Sequence, residues 1–299
     1  MSELLRKGSS KDVLSGDEPG QLKFRFSDRV SVFDVGPIPV EFTGLGRLRC
    51  AIAGRLFHLL EDAGIPNHYI DHNVDDSTML VYAANIPEKN FFKEKAIGRL
   101  MAVEILFRYE LSSGTHSRIK LGSLDRGKIE ALLVSGEELQ PGARLQPPFL
   151  ECSTKWQDAD SYVSDLIAAK LARISPADLE KVYRNCSEAA SVLRNFFKSA
   201  GFDLRDGKFE AVWPFCLGDS ISLDELRLVG PDGRSYDKDP VRKWYGENQW
   251  DWVRWLRESK KKHPTDKSRW PTYEEVPPKS VIADQVERYQ IVAEAIGAL

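Results

Sequence analysis

Residues 202–237 read FDLRDGKFEAVWPFCLGDSISLDELRLVGPDGRSYD and predict a pair of strands around which the rest of the chain is arranged. Asp206, Lys208 and Glu210 lie two residues apart, so an extended strand places their side chains on one face of a sheet. The apolar residues between them then point to the opposite face. The first strand of the pair therefore carries two carboxylates and one ammonium group side by side.

The second half of this segment predicts the partner strand. Residues 218–220 are typical of a turn, and residues 221–228 indicate a return strand that carries Asp224 and Glu225. Such a hairpin gathers carboxylates and a lysine at one end of a sheet, which is what Mg²⁺ and a nucleoside triphosphate require. The solvated polar face of an ordinary amphipathic hairpin has the same spacing, so the pattern alone leaves both interpretations open.

Length and composition restrict the class of protein. At 299 residues the chain fits one large α+β unit or two closely packed lobes. Hydrophobic residues make up 42% and charged residues 29%, which excludes the disordered class. The formal net charge is −3, so no global basic field indicates a nucleic-acid partner.

The cysteines and the apolar runs exclude two further classes. The four cysteines are scattered without a CxxC pair or a histidine at ligand spacing, which argues against structural zinc and favours reduced thiols. The N-terminus has no apolar signal-peptide core, and no stretch approaches the roughly 20 residues of a membrane span. We therefore expect a cytoplasmic protein with no membrane partner.

The N-terminal residues 1–35 predict a small β-rich lobe. A turn at Gly8, Ser9 and Ser10 separates two short apolar runs and is followed by Lys11. A glycine turn of this kind can offer backbone N–H groups and one cation to phosphates. It lacks the full G-x-x-x-x-G-K-[ST] pattern, so an ordinary loop is the favoured explanation on spacing alone.

A helix over residues 48–63 and strands over 78–86 and 100–109 follow, the last almost continuously apolar and therefore predicted to be central. Arg108 leaves this strand and precedes a predicted turn at residues 113–115, which together suit a phosphate clamp. An arginine paired with a structural acid is the alternative. The histidines at 58, 68 and 72 lie without a carboxylate at metal spacing and receive no role.

The C-terminal half is mainly helical. Residues 174–201 predict the clearest helix, with Ser175 at the N-cap, Pro176 at the first position and Gly201 at the end. Residues 240–258 hold four tryptophans, which favour core or lobe packing over base stacking. An exposed connector over 259–279 and an amphipathic terminal helix complete the chain.

With these pieces placed, the order of motifs resembles the SAICAR synthetase (phosphoribosylaminoimidazole-succinocarboxamide synthase) family. SDRVSVFDV at residues 27–35 is similar to the family's ATDRISAFDV, and RKGSSKDV at residues 6–13 is similar to its glycine-lysine nucleotide loop. The segments VEILFRYELSSGT, LQPPFLECSTK, RDGKFEAV, LDEL, PDGR and YDKDPVRKW follow in family order. The resemblance covers the chain from about Leu5 to Gly297.

The resemblance implies a two-lobed α+β fold with ATP between a small antiparallel lobe and a larger α/β lobe, which we place at residues 1–109 and 110–299. It implies that Mg²⁺-ATP phosphorylates the carboxylate of carboxyaminoimidazole ribotide, a phosphoribosylated heterocycle, and that L-aspartate attacks the acyl phosphate. The products are an amide, ADP and phosphate. The resemblance leaves open whether the chain forms a homo-oligomer.

The resemblance also implies roles for individual residues. Glu210 and Asp224 fall on metal-binding acids, Lys11 and Lys208 on ATP-phosphate or catalytic lysines, and Asp206 on the acid of a D-x-K motif. The turn Gly8, Ser9 and Ser10 falls on the nucleotide loop. The substrate-binding positions are Arg108, Ser113, Gly114, Thr115, Asp232, Arg234 and Arg242.

Departures from the family pattern cluster where substrates rather than ATP are held. The family's GDHDE segment is replaced by residues 156–161, the turn after Arg108 is one residue longer, and Asp239 stands where the family has glutamine. This favours shared chemistry with an altered amine or heterocycle, as in nucleoside natural-product biosynthesis. Two further alternatives are a small-molecule phosphotransferase, although no HRD or DFG signature is present, and a binding protein without turnover.

Overall fold

The computed structural model describes residues 2–86, 95–157 and 161–299. Residues 158–160, the middle of the departure from the family pattern over residues 156–161, lie outside the described residues. Three antiparallel sheets, one of them with only two strands, and a set of helices form a mixed α+β fold, as predicted. The strands are β1 (Leu4–Lys7), β2 (Lys11–Ser15), β3 (Gln21–Phe26), β4 (Arg29–Ser31), β5 (Pro37–Glu41), β6 (Tyr69–Asn73), β7 (Thr78–Tyr82), β8 (Arg99–Glu110), β9 (Arg144–Thr154), β10 (Tyr162–Val163), β11 (Asp203–Trp213), β12 (Cys216–Gly218) and β13 (Leu226–Val229). The helices are α1 (Leu45–Asp62), α2 (Ser113–Lys120), α3 (Arg126–Glu130), α4 (Asp165–Ala172), α5 (Pro176–Ser199), α6 (Asp239–Asn248), α7 (Trp250–Lys262) and α8 (Lys279–Ala295), with a short 3-10 turn at Lys267–Arg269.

The first sheet has the order β1-β2-β3-β7-β6, and the second has the order β10-β9-β8-β11-β12 with β13 also pairing with β11. Strand β8 lies at the centre of the second sheet, which confirms the prediction from its continuous apolar sequence. Strand β8 pairs with β9 on one side and with β11 on the other. The division of the chain at residue 109 stays a prediction.

The predicted return strand over 221–228 is confirmed only for residues 226–228, which lie in β13, whereas residues 221–225 lie outside the strands. Strand β11 instead pairs with two short strands, β12 opposite its C-terminal half and β13 opposite its N-terminal half. Asp224 and Glu225 lie between them in a turn, because the Ser222 hydroxyl accepts the Asp224 N–H at 3.2 Å and Glu225 accepts the Ser222 N–H at 2.9 Å. Such local side-chain bonds compete with strand pairing and release the two acids from the sheet.

The predicted turn at residues 113–115 is wrong in a similar way. These residues begin helix α2, because the Ser112 hydroxyl caps it by accepting the Thr115 N–H at 3.1 Å. The long helix predicted over 174–201 is confirmed as α5, with Ser175 at the N-cap and proline in the first turn. The capping residues, more than helix propensity, therefore set these boundaries.

The tryptophan-rich segment forms α6 and α7. Trp252 is buried in the main core and Trp244 packs partly against it, which confirms the packing interpretation for these two. Trp250 and Trp255 are more than half exposed, so the interpretation is wrong for them. Within the described ranges, no helix is both long enough and apolar enough to cross a membrane.

Candidate functional site

A charged cavity of about 550 Å³ lies where the β1–β2 turn, β8, β11 and the 219–225 segment meet. Most of the residues that the sequence predicts for the site line this cavity: Gly8, Ser9, Ser10, Lys11, Arg108, Asp206, Lys208, Glu210, Asp224 and Arg242. Chain segments far apart in sequence thus converge on one site. The predicted convergence of the β11 acids with the glycine-turn lysine is present in the structure.

Five predicted residues lie outside this cavity. Ser113, Gly114 and Thr115 form the first turn of α2. Of these three, Thr115 is buried, and its hydroxyl lies 2.9 Å from the Ser112 hydroxyl. Asp232 and Arg234 are exposed and form an ion pair with each other. The structure described here does not bring these five residues to the cavity lining, and their role in substrate binding stays a prediction.

The glycine turn is shaped by Gly8 and closed by Lys11. A Cβ atom at Gly8 would lie 2.4 Å from the Lys11 carbonyl oxygen, so only glycine allows this tight connection between β1 and β2. Lys11 Nζ lies 2.8 Å from Asp219 Oδ1 and donates to Ser220 Oγ at 2.9 Å. Burial opposes the charged form, but Asp219 and Glu225 outweigh it and raise the pKa of Lys11.

Strand β11 presents Asp206, Lys208 and Glu210 to the cavity on one face, as their spacing predicts. Lys208 Nζ donates to Glu104 Oε1 at 2.6 Å, and Lys155 forms an ion pair with Glu210. Burial opposes the Lys208 ammonium, yet Glu104 and Glu210 raise the pKa of Lys208 well above its ordinary value. Lys208 therefore stays a cation at neutral pH, and Asp206 and Glu210 lie on either side of it along the strand.

Asp224 lies deeper and is held by buried partners. Its carboxylate is 3.0 Å from Arg49 Nε and accepts the Tyr289 hydroxyl at 2.7 Å, with Lys238 Nζ 3.5 Å away. Burial raises the pKa of the Asp224 carboxyl, but the positive charges of Arg49 and then Lys238 lower it by a larger amount. The net pKa of Asp224 therefore lies well below its ordinary range. Asp224 is therefore an anion of fixed position at the base of the cavity.

The acids at this end crowd one another. Burial, and then the charge of Asp224, raise the pKa of Glu225 to about 7. Burial and Asp219 also raise the pKa of Glu210. Such mutual repulsion is relieved when a cation enters, so these side chains suit a site that binds one.

The opposite end of the cavity is rich in arginine. Arg108 Nε lies 3.1 Å from Glu151 Oε1 and its Nη2 donates to the Tyr162 hydroxyl at 3.1 Å. Arg108 is thus paired with a buried acid, as the alternative interpretation predicts, and it also lines the cavity. Arg227 pairs with Asp206 at 3.2 Å, so Asp206 lies between two guanidinium groups.

Several residues of the site were missed in the sequence. They share the feature that their partners are distant in the chain, and they are Arg49, Glu104, Lys155, Tyr162, Asp219, Arg227 and Lys238. Glu104 gave one signal, because it is a lone acid within an apolar strand. The others lie in patterns that exposed loops and helices also show.

A second, mainly apolar cavity of about 840 Å³ adjoins the first. Leu22, Phe24 and Tyr82 line it, whereas Lys155, Glu210 and Asp219 line both cavities. His68, which received no role, is buried here with Nε2 2.7 Å from the Asp219 carbonyl oxygen. Burial lowers the pKa of His68 to about 4, so its ring is neutral at physiological pH.

Comparisons with known proteins agree on one family. The sequence model of SAICAR synthetase matches residues 4–258. A putative phosphoribosylaminoimidazole-succinocarboxamide synthase of Archaeoglobus fulgidus is 26% identical over 280 residues, covering 84% of this chain and 82% of the relative. The Thermoplasma acidophilum synthase is 27% identical over 210 residues, covering 70% and 67% of the two chains.

Solved structures share the fold. A SAICAR synthase of Saccharomyces cerevisiae complexed with SAICAR superposes with a TM-score of 0.72 at 18% identity, covering 99% of this chain and 94% of that one. A SAICAR synthetase in complex with ADP superposes with a TM-score of 0.62 at 21% identity, covering 90% of this chain and 99% of that one. These likenesses confirm the predicted fold.

Proposed function

The chain belongs to the SAICAR synthetase family of ATP-dependent carbon–nitrogen ligases, and we propose that it joins carboxyaminoimidazole ribotide to L-aspartate. ATP phosphorylates the carboxylate of the ribotide, the aspartate amine attacks the acyl phosphate, and ADP and phosphate leave. We place this reaction in the cytoplasm. The relatives' names and the family model support the reaction class, and the cavities support its arrangement.

One observation carries the proposal: an apolar cavity and a charged cavity adjoin and share Lys155, Glu210 and Asp219. A purine base suits apolar walls such as Leu22 and Phe24, whereas phosphates need cations and N–H groups. A nucleotide with its base in the apolar cavity would extend its phosphates toward the shared residues. The neighbouring protein solved with ADP is consistent with a nucleotide in this fold.

The cations at the junction suit phosphate binding. Lys11 pairs with Asp219 and Lys208 pairs with Glu104, both lysines line the charged cavity, and we assign both to the phosphates of ATP. The turn at Gly8, Ser9 and Ser10 lies beside Lys11 in the lining and would offer backbone donors. As the phosphoryl group moves, these fixed cations stabilise the charge on its oxygens.

Mg²⁺ fits the acidic end of the charged cavity. Glu210 and Asp224 would hold it, and the pKa of the neighbouring Glu225, which burial and then the charge of Asp224 raise to about 7, supports a cation there. Within the described residues, no group of three or more His, Cys, Asp and Glu side chains is arranged to hold a metal alone. Mg²⁺ commonly binds through one or two carboxylates and substrate phosphates, and there it would offset the negative charge of the phosphates.

The reaction needs activation because a carboxylate is a poor electrophile. Transfer of the γ-phosphoryl group to a carboxylate oxygen breaks the bond to ADP and creates a leaving group. The amine nitrogen then forms a bond to the acyl carbon, phosphate departs, and the nitrogen loses one proton. We assign Arg108 and Arg242 to the anionic ribotide, and Asp206 to the orientation of Arg108 and Arg227 beside it.

Release of ADP tests the proposal. Purified protein with Mg²⁺-ATP, carboxyaminoimidazole ribotide and L-aspartate is expected to release ADP in a coupled assay and to form the succinocarboxamide by mass spectrometry. Omitting either substrate is expected to stop product formation. Absence of the amide product with this pair, at concentrations up to millimolar, would refute the proposed substrates.

One observation favours a second candidate, a homologue with a different heterocycle or amine. Thr115 and Arg234, which the family resemblance assigns to substrate, lie away from the charged cavity. Assays with other amines and other phosphoribosyl carboxylates separate the two. Amide formation only with an alternative pair would reject the proposed reaction of carboxyaminoimidazole ribotide with L-aspartate. Phosphoryl transfer to a hydroxyl without an amine would indicate a phosphotransferase.

A further inference from the structure

The loop over residues 31–36 has an unusual backbone beside the charged cavity. Phe33 and Asp34 both adopt the left-handed region, each with φ of 57°, although neither is glycine. Both side chains line the cavity together with Ser31 and Val32. Left-handed residues of this kind persist only where their surroundings hold them, and they cluster at functional sites.

A single phenol holds both ends of this loop. The Tyr273 hydroxyl lies 2.6 Å from the Val32 carbonyl oxygen and 3.1 Å from the Gly36 carbonyl oxygen, and it accepts the Val32 N–H at 3.1 Å. Because a phenol has one proton, it donates to one carbonyl at a time while still accepting from Val32. Tyr273 thus bonds to the residues on both sides of the left-handed pair.

Aromatic packing fixes the phenol itself. The Tyr273 ring stacks on Trp252 with centroids 5.3 Å apart and an interplanar angle of 27°. The Trp252 indole N–H donates to the Thr272 carbonyl at 2.7 Å, which anchors the connector next to Tyr273. Phe33 packs edge-on against Trp252 and Tyr245, so the loop and its support form one aromatic cluster.

We propose that Tyr273 is a positioning residue that holds residues 31–36 as a wall of the substrate end of the charged cavity. The inference rests on the proposed function for the identity of that substrate. The loop packs on Tyr245 of α6, the helix that also carries Arg242, so it adjoins the end assigned to the ribotide or the amine. Tyr273 lies beyond residues 4–258, the part matched by the family model, so this support comes from the chain's own C-terminal segment.

Tyr273→Phe tests the proposal and Tyr245→Phe is its matched control. Tyr245 belongs to the same aromatic cluster, and its hydroxyl donates to the Glu275 carbonyl at 2.8 Å instead of to the loop. Loss of the Tyr273 hydroxyl removes two hydrogen bonds to the loop and is expected to raise the KM of the ribotide or of the amine by roughly five- to thirtyfold. The KM for ATP and all constants of Tyr245→Phe are expected to stay within about twofold, which is the scatter of neutral changes.

Hydrogen exchange gives a readout that does not depend on turnover. The Val32 amide loses its acceptor in Tyr273→Phe, so peptides that cover residues 31–36 are expected to exchange faster than in the wild type and in Tyr245→Phe. Unchanged exchange in Tyr273→Phe overturns the proposal. A parallel fall in kcat and in affinity for all three substrates also overturns it, because that pattern indicates general loss of structure.

Failure of the proposed reaction can be distinguished from failure of the proposal for Tyr273. If the wild type makes no amide from any substrate pair, the proposed function fails, and exchange of residues 31–36 still decides what Tyr273 does. Tyr273→Phe keeps the stacked ring, and its melting temperature verifies the fold. Should it unfold, hydrogen exchange of the wild type tests the same contact, because the Val32 N–H donates to the Tyr273 hydroxyl at 3.1 Å. Protection of the Val32 amide supports the held loop, and exchange at the rate of an exposed amide overturns the proposal.

Discussion

Replacing Arg49 with methionine should reveal how strongly the buried charges at the base of the cavity support the fold. Arg49 and Asp224 have side-chain exposures of 1% and 3%, so their ion pair is shielded from water. Arg49 Nη1 also donates to the carbonyls of Ser27 and Arg29 at 2.6 and 2.8 Å. Methionine fills much of the same volume but offers neither charge nor donor.

The magnitude follows from what the substitution leaves behind. Removing one partner of a buried ion pair typically costs about 3–5 kcal/mol, because the other charge stays buried. Asp224 keeps the Tyr289 hydroxyl at 2.7 Å and Lys238 at 3.5 Å, which reduces the cost. Two carbonyls lose a donor, which increases it by about 1 kcal/mol or more each. We expect a loss of roughly 4 kcal/mol, a large part of the ~5–15 kcal/mol that stabilises a typical protein.

Urea unfolding followed by tryptophan fluorescence at pH 7.5 measures this loss. The matched control is Arg47→Met, two residues earlier on α1, where an exposed arginine lies 4.0 Å from an exposed Asp75. Surface pairs contribute little, so this control is expected to change stability by no more than about 0.5 kcal/mol. A difference below about 1 kcal/mol between the two variants would refute the reasoning, since a buried pair would then behave like a surface one.

The pH dependence supplies a second check. In the wild type the folded pKa of Asp224 is depressed, so its contribution is present above the unfolded value of 3.8 and is lost as the pH falls through the folded pKa. In Arg49→Met the carboxyl loses its main cation, and its folded pKa rises. Protonation then relieves the buried charge, so the deficit of the variant should shrink as the pH is lowered from 7.5 to 5.

Three further outcomes are expected. Lys208→Ala and Glu210→Ala should each lower kcat by roughly a hundredfold or more with unchanged circular dichroism, because each removes a fixed charge beside the phosphates; near-normal ADP release would contradict this. Arg108→Ala should raise the KM for the phosphorylated substrate by about tenfold with a smaller effect on kcat, as measured by varying that substrate alone. Burial, and then Asp239, raise the pKa of Asp237 to about 6, so the folded state binds more protons than the unfolded state between 3.8 and 6 and stability falls across that window as the pH rises. Asp237→Asn should remove that fall and be the more stable protein at pH 7.5 in urea unfolding; equal pH profiles would refute the assignment.

Features with a local cause were predictable from the sequence. The shared face of Asp206, Lys208 and Glu210 follows from the two-residue period of a strand, and the structure has it. The start of α5 follows from its N-cap serine and first-turn proline. The glycine turn before Lys11 was recognised because a tight connection between two strands needs glycine.

Features with a distant cause were not predictable. The bonds to Ser222 that put Asp224 in a turn are local, but the ion pair with Arg49 that fixes its carboxylate is not. Its partner Arg49 is 175 residues away, and Arg108 is 43 residues from Glu151. A single sequence gives no sign of which charges meet across such distances, so the pairing had to come from the structure.

The C-terminal segment shows why the site extends beyond the part of the chain that the family model matches. Tyr289 of α8 bonds to Asp224 at the base of the cavity, and Tyr273 of the connector bonds to the loop at its rim. Both phenols lie after residue 258, the last matched position. Because Tyr289 fixes Asp224 and Tyr273 fixes the loop over residues 31–36, loss of the C-terminal segment should loosen the cavity at both places, even though all of the predicted site residues precede it. Helix α8 and the connector are therefore parts of the candidate site in the physical sense that they set its geometry.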